Sequence, residues 1–317
     1  MTKLQKFSYD VAGLPNYTKL NPDILTATVF NASETADLVT TIDGIKNAEF
    51  VNNLTTSALW QAGGGCTFSP NGSDQFSQRT LQVGRVTIQK SYCFEDLEQY
   101  FTMFYLKQQK SLQGVSVGGD LEQLVLKQLL AQVGSDYENS LWQAIQGGNN
   151  ANNSLNLYNG FLVNTQTAQG YISGNTATMS ATTAVGLFQA FYRAIPTRLL
   201  NTNDFRSFTG YDTYNDYVTN LVNLNLFNPS AVDGTNYKFQ VYGFPLWTKA
   251  VHGLDGQNVI YGAREVNMFR GIDGLSDMTN SQIWLDNNGK TTNLLLDFKT
   301  GTQISIPGDV VYWSNGG

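Results

Sequence analysis

Residues 79–93, RTLQVGRVTIQKSYC, decide the fold. Leu81 and Val83, then Val86 and Ile88, recur at a two-residue spacing whose register shifts at Gly84. A period of two puts alternate side chains on one face of a β-strand, and a glycine inside it marks a bulge. The stretch TIDGIKNAEFVNNL (41–54) supplies an outgoing strand. Between the two lies WQAGGGCTFSPNGSDQFSQ (60–78), in which Gly63-Gly64-Gly65, Pro70 and Asn71-Gly72 are turn formers. Residues 42–95 therefore predict a long β-hairpin. An isolated two-stranded ribbon is marginal in water, so something outside its own domain is expected to cover it. Phe68, Phe76, Leu81 and Val83 are the apolar candidates for that contact. Arg79, Arg85 and Lys90 form the densest local basic cluster. Its plain reading is a solvated strand face; its sharper one is ion pairing with acidic residues of a neighbouring chain.

On the N-terminal side, residues 1–41 have no sustained period and carry Pro15 and Pro22, which predicts an extended arm. On the C-terminal side, LEQYFTMFYLKQQ (97–109) reads as a short helix. A longer helix is predicted over 120–146: Gly118-Gly119 break the chain and Asp120 caps it, with Gln123 three residues on. Leu121, Val125, Leu129, Val133, Tyr137, Leu141 and Ile145 then recur every four residues, Leu124 and Trp142 widen the stripe, and Gly147-Gly148 end it. The stripe is read as core, and the rod of ~40 Å as a spine for sheets. LYNGFLV (157–163) is strand-like. Helices are expected over 183–195, capped by Thr182 or Thr183 and stopped by Pro196, and over 212–224 with Tyr214, Tyr217, Val218 and Leu221 inward. Extended segments follow near 237–243, 246–251 and 258–262. QIWLD and TNLLLDFKTGTQISI flank Asn287-Asn288-Gly289, a strong hairpin signal. The fold class is α+β.

Composition narrows the function. Charged residues make up 14%, well below the ~25% usual for a soluble domain, so the surface repels copies of itself weakly. Nineteen Lys and Arg against twenty-five Asp and Glu leave no basic stripe for nucleic acid. The lone histidine, His252, has no G-x-S-x-G elbow to serve, no G-x-x-x-x-G-K-S/T phosphate loop is present, and Cys66 and Cys93 form no CxxC. Acidic residues near Asp273 and Asp286 do not match calcium-loop spacing. No cofactor, metal or catalytic residue is expected, and the chain is read as no enzyme. The start, MTKLQKFSYD, has no apolar h-region, and no run approaches ~18 apolar residues, so neither a secretory signal nor a membrane span is expected.

Two stretches together resemble the major capsid proteins of tailed bacteriophages with the Hong Kong 97-type (HK97-like) fold, similar to those of crAss-like and related phages. One is the hairpin, with Cys66 near its tip, F-S-Q-R-x-L-x-V at 76–83 and L-E-x-Y at 97–100. The other is residues 258–311, where N-M-x-x-G-x-D-x-x-S-D (267–277) precedes a strand, a turn and a long strand holding F-K-x-G-x-Q (298–303). The resemblance implies an N-terminal arm (1–41), an extended loop (42–95), a peripheral domain (96–180 and 263–317) holding the spine helix, and an axial domain (181–262). It further implies homo-hexamers and homo-pentamers in an icosahedral virion shell, assembled in the bacterial host cytoplasm. A portal protein and packaged DNA held only weakly are the partners it brings; it leaves open a separate scaffolding protein or none, and whether a decoration protein binds. Two rivals explain the polar, β-rich composition: a jelly-roll capsid or tail subunit, and a secreted carbohydrate-binding or carbohydrate-active protein. The first does not account for a helix of this length, and the second predicts a signal sequence and clustered carboxylates, which the sequence does not carry.

Overall fold

The computed structural model describes residues 33–57, 60, 71–93, 117–148, 153–174, 177–200, 202–228, 232–233, 237–273, 282–286 and 291–314. Most of the expected arm, the hairpin tip with Phe68, and the helical reading of 97–109 lie outside these residues. In chain order the elements are β1 (Thr40–Asp43), β2 (Ala48–Thr56), β3 (Asp74–Gln82), β4 (Gly84–Cys93), α1 (Val117–Gln143), α2 (Phe161–Gln166), β5 (Ile172–Ser173), α3 (Ala184–Ala194), α4 (Thr197–Leu200), β6 (Phe205–Thr209), α5 (Tyr211–Asn223), β7 (Val232–Asp233), β8 (Lys238–Gln240), β9 (Trp247–Ala250), β10 (Val259–Arg264), β11 (Met268–Asp273), β12 (Gln282–Asp286), β13 (Thr291–Ile304) and β14 (Val311–Ser314).

The strand β13 organises the first sheet. Residues Thr291–Leu295 pair with β12 and Lys299–Ile304 with β11, while β4 runs antiparallel along Thr291–Thr300. Residues such as Leu295 and Thr300 have partners in two strands, so β4 occupies the opposite edge. The sheet closes with β1 parallel to β11. Along β13, Leu294, Leu296, Phe298 and Ile304 are buried in one core with Leu129, Val133, Tyr137 and Leu141 of α1. The second sheet runs β5-β14-β10-β6-β9-β8-β7, and its inner strands β14 and β10 are buried on both faces. Tyr261 and Tyr312 face α1, while Ile260, Val311 and Trp313 join α3 and α5. Adjacent residues of one strand thus feed two cores, as a period of two requires. Trp142 centres the first, with its ring 5.4 Å from Phe161, 5.3 Å from Phe208 and 5.2 Å from Tyr261. Phe239 centres the second, 5.0 Å from Phe188 and 4.4 Å from Tyr217.

Four local expectations are corrected. The spine helix starts at Val117, so Gly118, Gly119 and Asp120 lie inside its first turn, where unpaired backbone donors are present anyway. It ends at Gln143 because Ile145 N–H turns to Leu155 O (2.7 Å) and Gly147 N–H to Asn156 O (3.1 Å), which leaves Ile145 exposed. LYNGFLV is no strand: it ends in α2, with Gly160 so close to α1 that a Cβ would lie 2.5 Å from Trp142 O. A short apolar run does not distinguish strand from buried helix. Thr183 makes no side-chain cap for α3; instead Asn220 Oδ1, reaching from α5, accepts Val185 N–H at 2.9 Å.

The return stretch of the hairpin also divides at Val83. Only β2 and β3 form a two-stranded ribbon, Ala48 opposite Gln82 through Thr56 opposite Asp74. Beyond it, β4 belongs to the β13 sheet. Gly84 permits the crossing, since a Cβ there would sit 2.4 Å from Leu157 O.

Candidate functional site

The ribbon of β2 and β3 has two chemically different faces. Directly paired residues share a face, so Phe50, Asn52 and Leu54 lie with Thr80, Gln78 and Phe76. Here Phe76 is 82% exposed, Phe50 58% and Leu54 53%. Gln78 Nε2 donates to Asn52 Oδ1 at 2.9 Å between them. The other face carries Val51 and Leu81, which are buried with Ile45 and Val83 against Ile42 and Phe269. One ribbon therefore has an apolar face consumed by its own chain at the base and an apolar face left open further out. Trp60, beyond β2, is exposed as well.

The base is fixed by close backbone approach. Gly271 of β11 and Gly301 of β13 are directly paired, and the ribbon crosses them. A Cβ on Gly301 would lie 2.1 Å from Gln82 O; one on Gly271 would lie 2.9 Å from Ile45 Cδ1 and 3.1 Å from Leu81 Cδ2. Around this flat spot Gln303 Nε2 donates to Thr80 O (2.6 Å) and Lys299 Nζ to Lys46 O (2.8 Å). Val83 N–H donates to Asn47 O at 3.1 Å. Asp273, considered above as a calcium ligand, instead accepts Lys299 Nζ at 3.2 Å.

The candidate contact residues separate accordingly. Phe76 stands out on the open face. Leu81, fully buried, and Val83, nearly so, are covered by their own chain. Arg85 is engaged within the chain: its Nε lies 2.9 Å from both carboxylate oxygens of Asp297, and Nη2 meets Oδ2 as well. Hydrogen bonding from Arg85 holds the Asp297 carboxyl below its ordinary value. Lys90 is exposed near the end of β4, opposite Leu294. Arg79 is partly buried beside Val51, and that burial pulls its guanidinium below the ordinary value. Sequence reasoning missed Phe50 and Leu54. Their four-residue spacing around Asn52 was the signal, but the pairing that places them beside Phe76 was not visible.

A groove of about 730 Å³ lies elsewhere, between β6, β8 and β9, lined by Leu199, Phe205 and Trp247 with Arg206, Lys238 and Lys249. No carboxylate or histidine is among its described lining residues. His252 stacks on Tyr211 with ring centroids 4.1 Å apart, and its Nδ1 is 2.8 Å from Asp255 Oδ2. Among the described residues no group of three or more His, Cys, Asp or Glu gathers as metal ligands, and no helix is long and apolar enough to cross a membrane.

Solved structures share this architecture. A chain from the satellite phage P4 procapsid that includes the size determination protein superposes with a TM-score of 0.57, at 9% identity, over 92% of this chain and 98% of its own. A chain from the capsid of an empty GTA particle gives 0.56 at 9% identity, over 90% of each chain. One from the virus-like particle of Pyrococcus furiosus gives 0.52 at 9% identity, over 94% and 99%. No protein-family model and no curated protein matches. The fold is thus the α+β HK97-like fold, shared over nearly the whole length.

Proposed function

We propose that the chain is the major capsid protein of a tailed bacteriophage, a structural and non-enzymatic shell subunit. Copies join into hexamers and pentamers that tile an icosahedral head around double-stranded DNA. The observation that carries this reading is the open face of the hairpin, with Phe50, Leu54 and Phe76 exposed on a rigidly based ribbon. Burying such side chains is worth roughly 1.5–3 kcal/mol each, and their own chain leaves them uncovered. A second copy supplies the cover: the ribbon lies over the α1 side and peripheral strands of its neighbour, while residues 181–262 turn toward the capsomer axis. Ring contacts of this kind are heterologous and close by rotation. Such interlocked pairs bury on the order of 2,000 Å² or more. Arg79, desolvated and without an acidic partner among the described residues, is placed to meet a carboxylate of that neighbour. A portal protein, separate scaffolding and decoration proteins, and weakly held DNA complete the head, which assembles in the host cytoplasm.

The test replaces the open face. The combined substitution Phe50→Ser, Leu54→Ser and Phe76→Ser should leave the melting temperature of the subunit close to that of the parent and abolish its assembly by light scattering. Assembly at the parent's concentration dependence would refute the role given to this face.

A further inference from the structure

Glu138, near the end of α1, is 2% exposed, and its described partners are all hydrogen-bond donors. The hydroxyls of Ser33 and Thr35 donate to its two oxygens. Thr35 N–H donates to Oε2 at 3.1 Å and Trp142 Nε1 to Oε1 at 3.2 Å; the same indole also reaches Thr35 Oγ1 at 2.8 Å. No ion pair to Glu138 is formed among the described residues. Of its four donors, three come from residues 33–35. A carboxylate that loses its donors while it stays buried is strongly unfavourable, so the seat holds only with these donors in place, and opening of the segment must bring water to Glu138.

The neighbouring Glu34 faces the other way. Its carboxylate accepts Tyr211 Oη at 2.9 Å and His252 N–H at 3.0 Å, and its carbonyl accepts Lys249 Nζ at 2.9 Å. A 3-10 turn over Ala36–Leu38 then leads into β1. Residues 33–38 therefore lie as a strap between α1 and the turn at His252–Leu254. Its apolar burial is slight: Ala36 is buried and Leu38 only partly. Segments held by polar bonds and few apolar contacts open locally at low free energy.

We propose that residues 33–38 are a latch, seated by Glu138, that detaches while α1 and both sheets stay folded. Elsewhere α1 turns Leu129, Val133, Tyr137 and Leu141 to the core. An apolar residue at 138 would seat the strap by burial alone. A carboxylate makes the seat conditional on particular donors, so the strap can be exchanged for another set of donors or displaced. The inference stands apart from the shell reading, because it concerns one subunit.

The test is amide hydrogen exchange on the full chain. Glu138→Gln keeps the shape but sets an amide donor where donors converge. Ser33→Ala with Thr35→Val removes donors and leaves α1 untouched. Both should speed exchange at Thr35 and Leu38 roughly tenfold or more and lower the global unfolding midpoint by no more than the matching free energy. In the parent these two amides should exchange faster than Leu129–Leu141 and Leu294–Ile304 and with a shallower dependence on denaturant. Should Glu138→Gln fail to fold, the double variant decides alone. Unchanged exchange at Thr35 and Leu38 in the double variant, or exchange of these two amides in the parent only together with α1 and β13 through global unfolding, would overturn the latch.

Discussion

At the scale of single residues, neighbouring positions on one strand have opposite fates. Arg85 and Asp297 illustrate the electrostatic side. The Arg85 side chain is 67% exposed and that of Asp297 8%, so the pair is a half-solvated one of roughly 0.2–1 kcal/mol. The carboxyl of Asp297 titrates lower in the folded chain than in the unfolded one, chiefly through its hydrogen bonds from Arg85. The sign follows: the pair contributes in full above the ordinary carboxylate range and is lost as the pH falls through the lower folded value. Melting temperatures measured from neutral pH down into the acid range should therefore fall more steeply in the parent than in an Asp297→Asn variant. Parallel curves would mean that the pair contributes nothing in cis, and would return Arg85 to the candidates for contact with a neighbour.

At the scale of the element, the ribbon is asymmetric between its faces and along its length. Leu81 and Phe76 lie five residues apart on β3, one fully buried and the other 82% exposed. Leu81→Ala should destabilise the subunit by ~2–5 kcal/mol, as core truncations do. Phe76→Ala should change subunit stability by no more than ~0.5 kcal/mol. Chemical denaturation of both variants under conditions that keep the chain monomeric checks this. Equal losses would show that the two faces are equivalent. The sequence made part of this legible. The alternation through Leu81 and Val83 marks a strand with one apolar face, and both residues do share a face. It did not reveal that Gly271 and Gly301, far along the chain, provide the surface that consumes that face. Periodicity states which side chains point together, not what they point at. The same limit explains LYNGFLV, whose apolar run fits a strand until Gly160 is seen against Trp142. It also explains Glu138, which a stripe of core residues hides in plain view.

For the whole molecule, the elements with strong local signals were read closely: α3 before Pro196, α5, and the β12–β13 hairpin around Asn287-Asn288-Gly289. The division of the apolar residues between two cores was not legible. It depends on β10 and β14, inner strands of the seven-stranded sheet, being buried on both faces, a property of topology and not of any one segment. The arrangement that results is a packed body from which one ribbon projects, rooted on paired glycines, with an apolar face that its own chain does not cover. The central claim is that copies of this chain cover it. The most direct measurement is to express the chain alone, purify it, and image it by negative-stain electron microscopy beside light scattering over a range of concentrations. Six- and five-membered rings, sheets or closed shells are the expected outcome. A homogeneous monomer of 35.0 kDa at high concentration, with the ribbon folded and protected from protease, would contradict it.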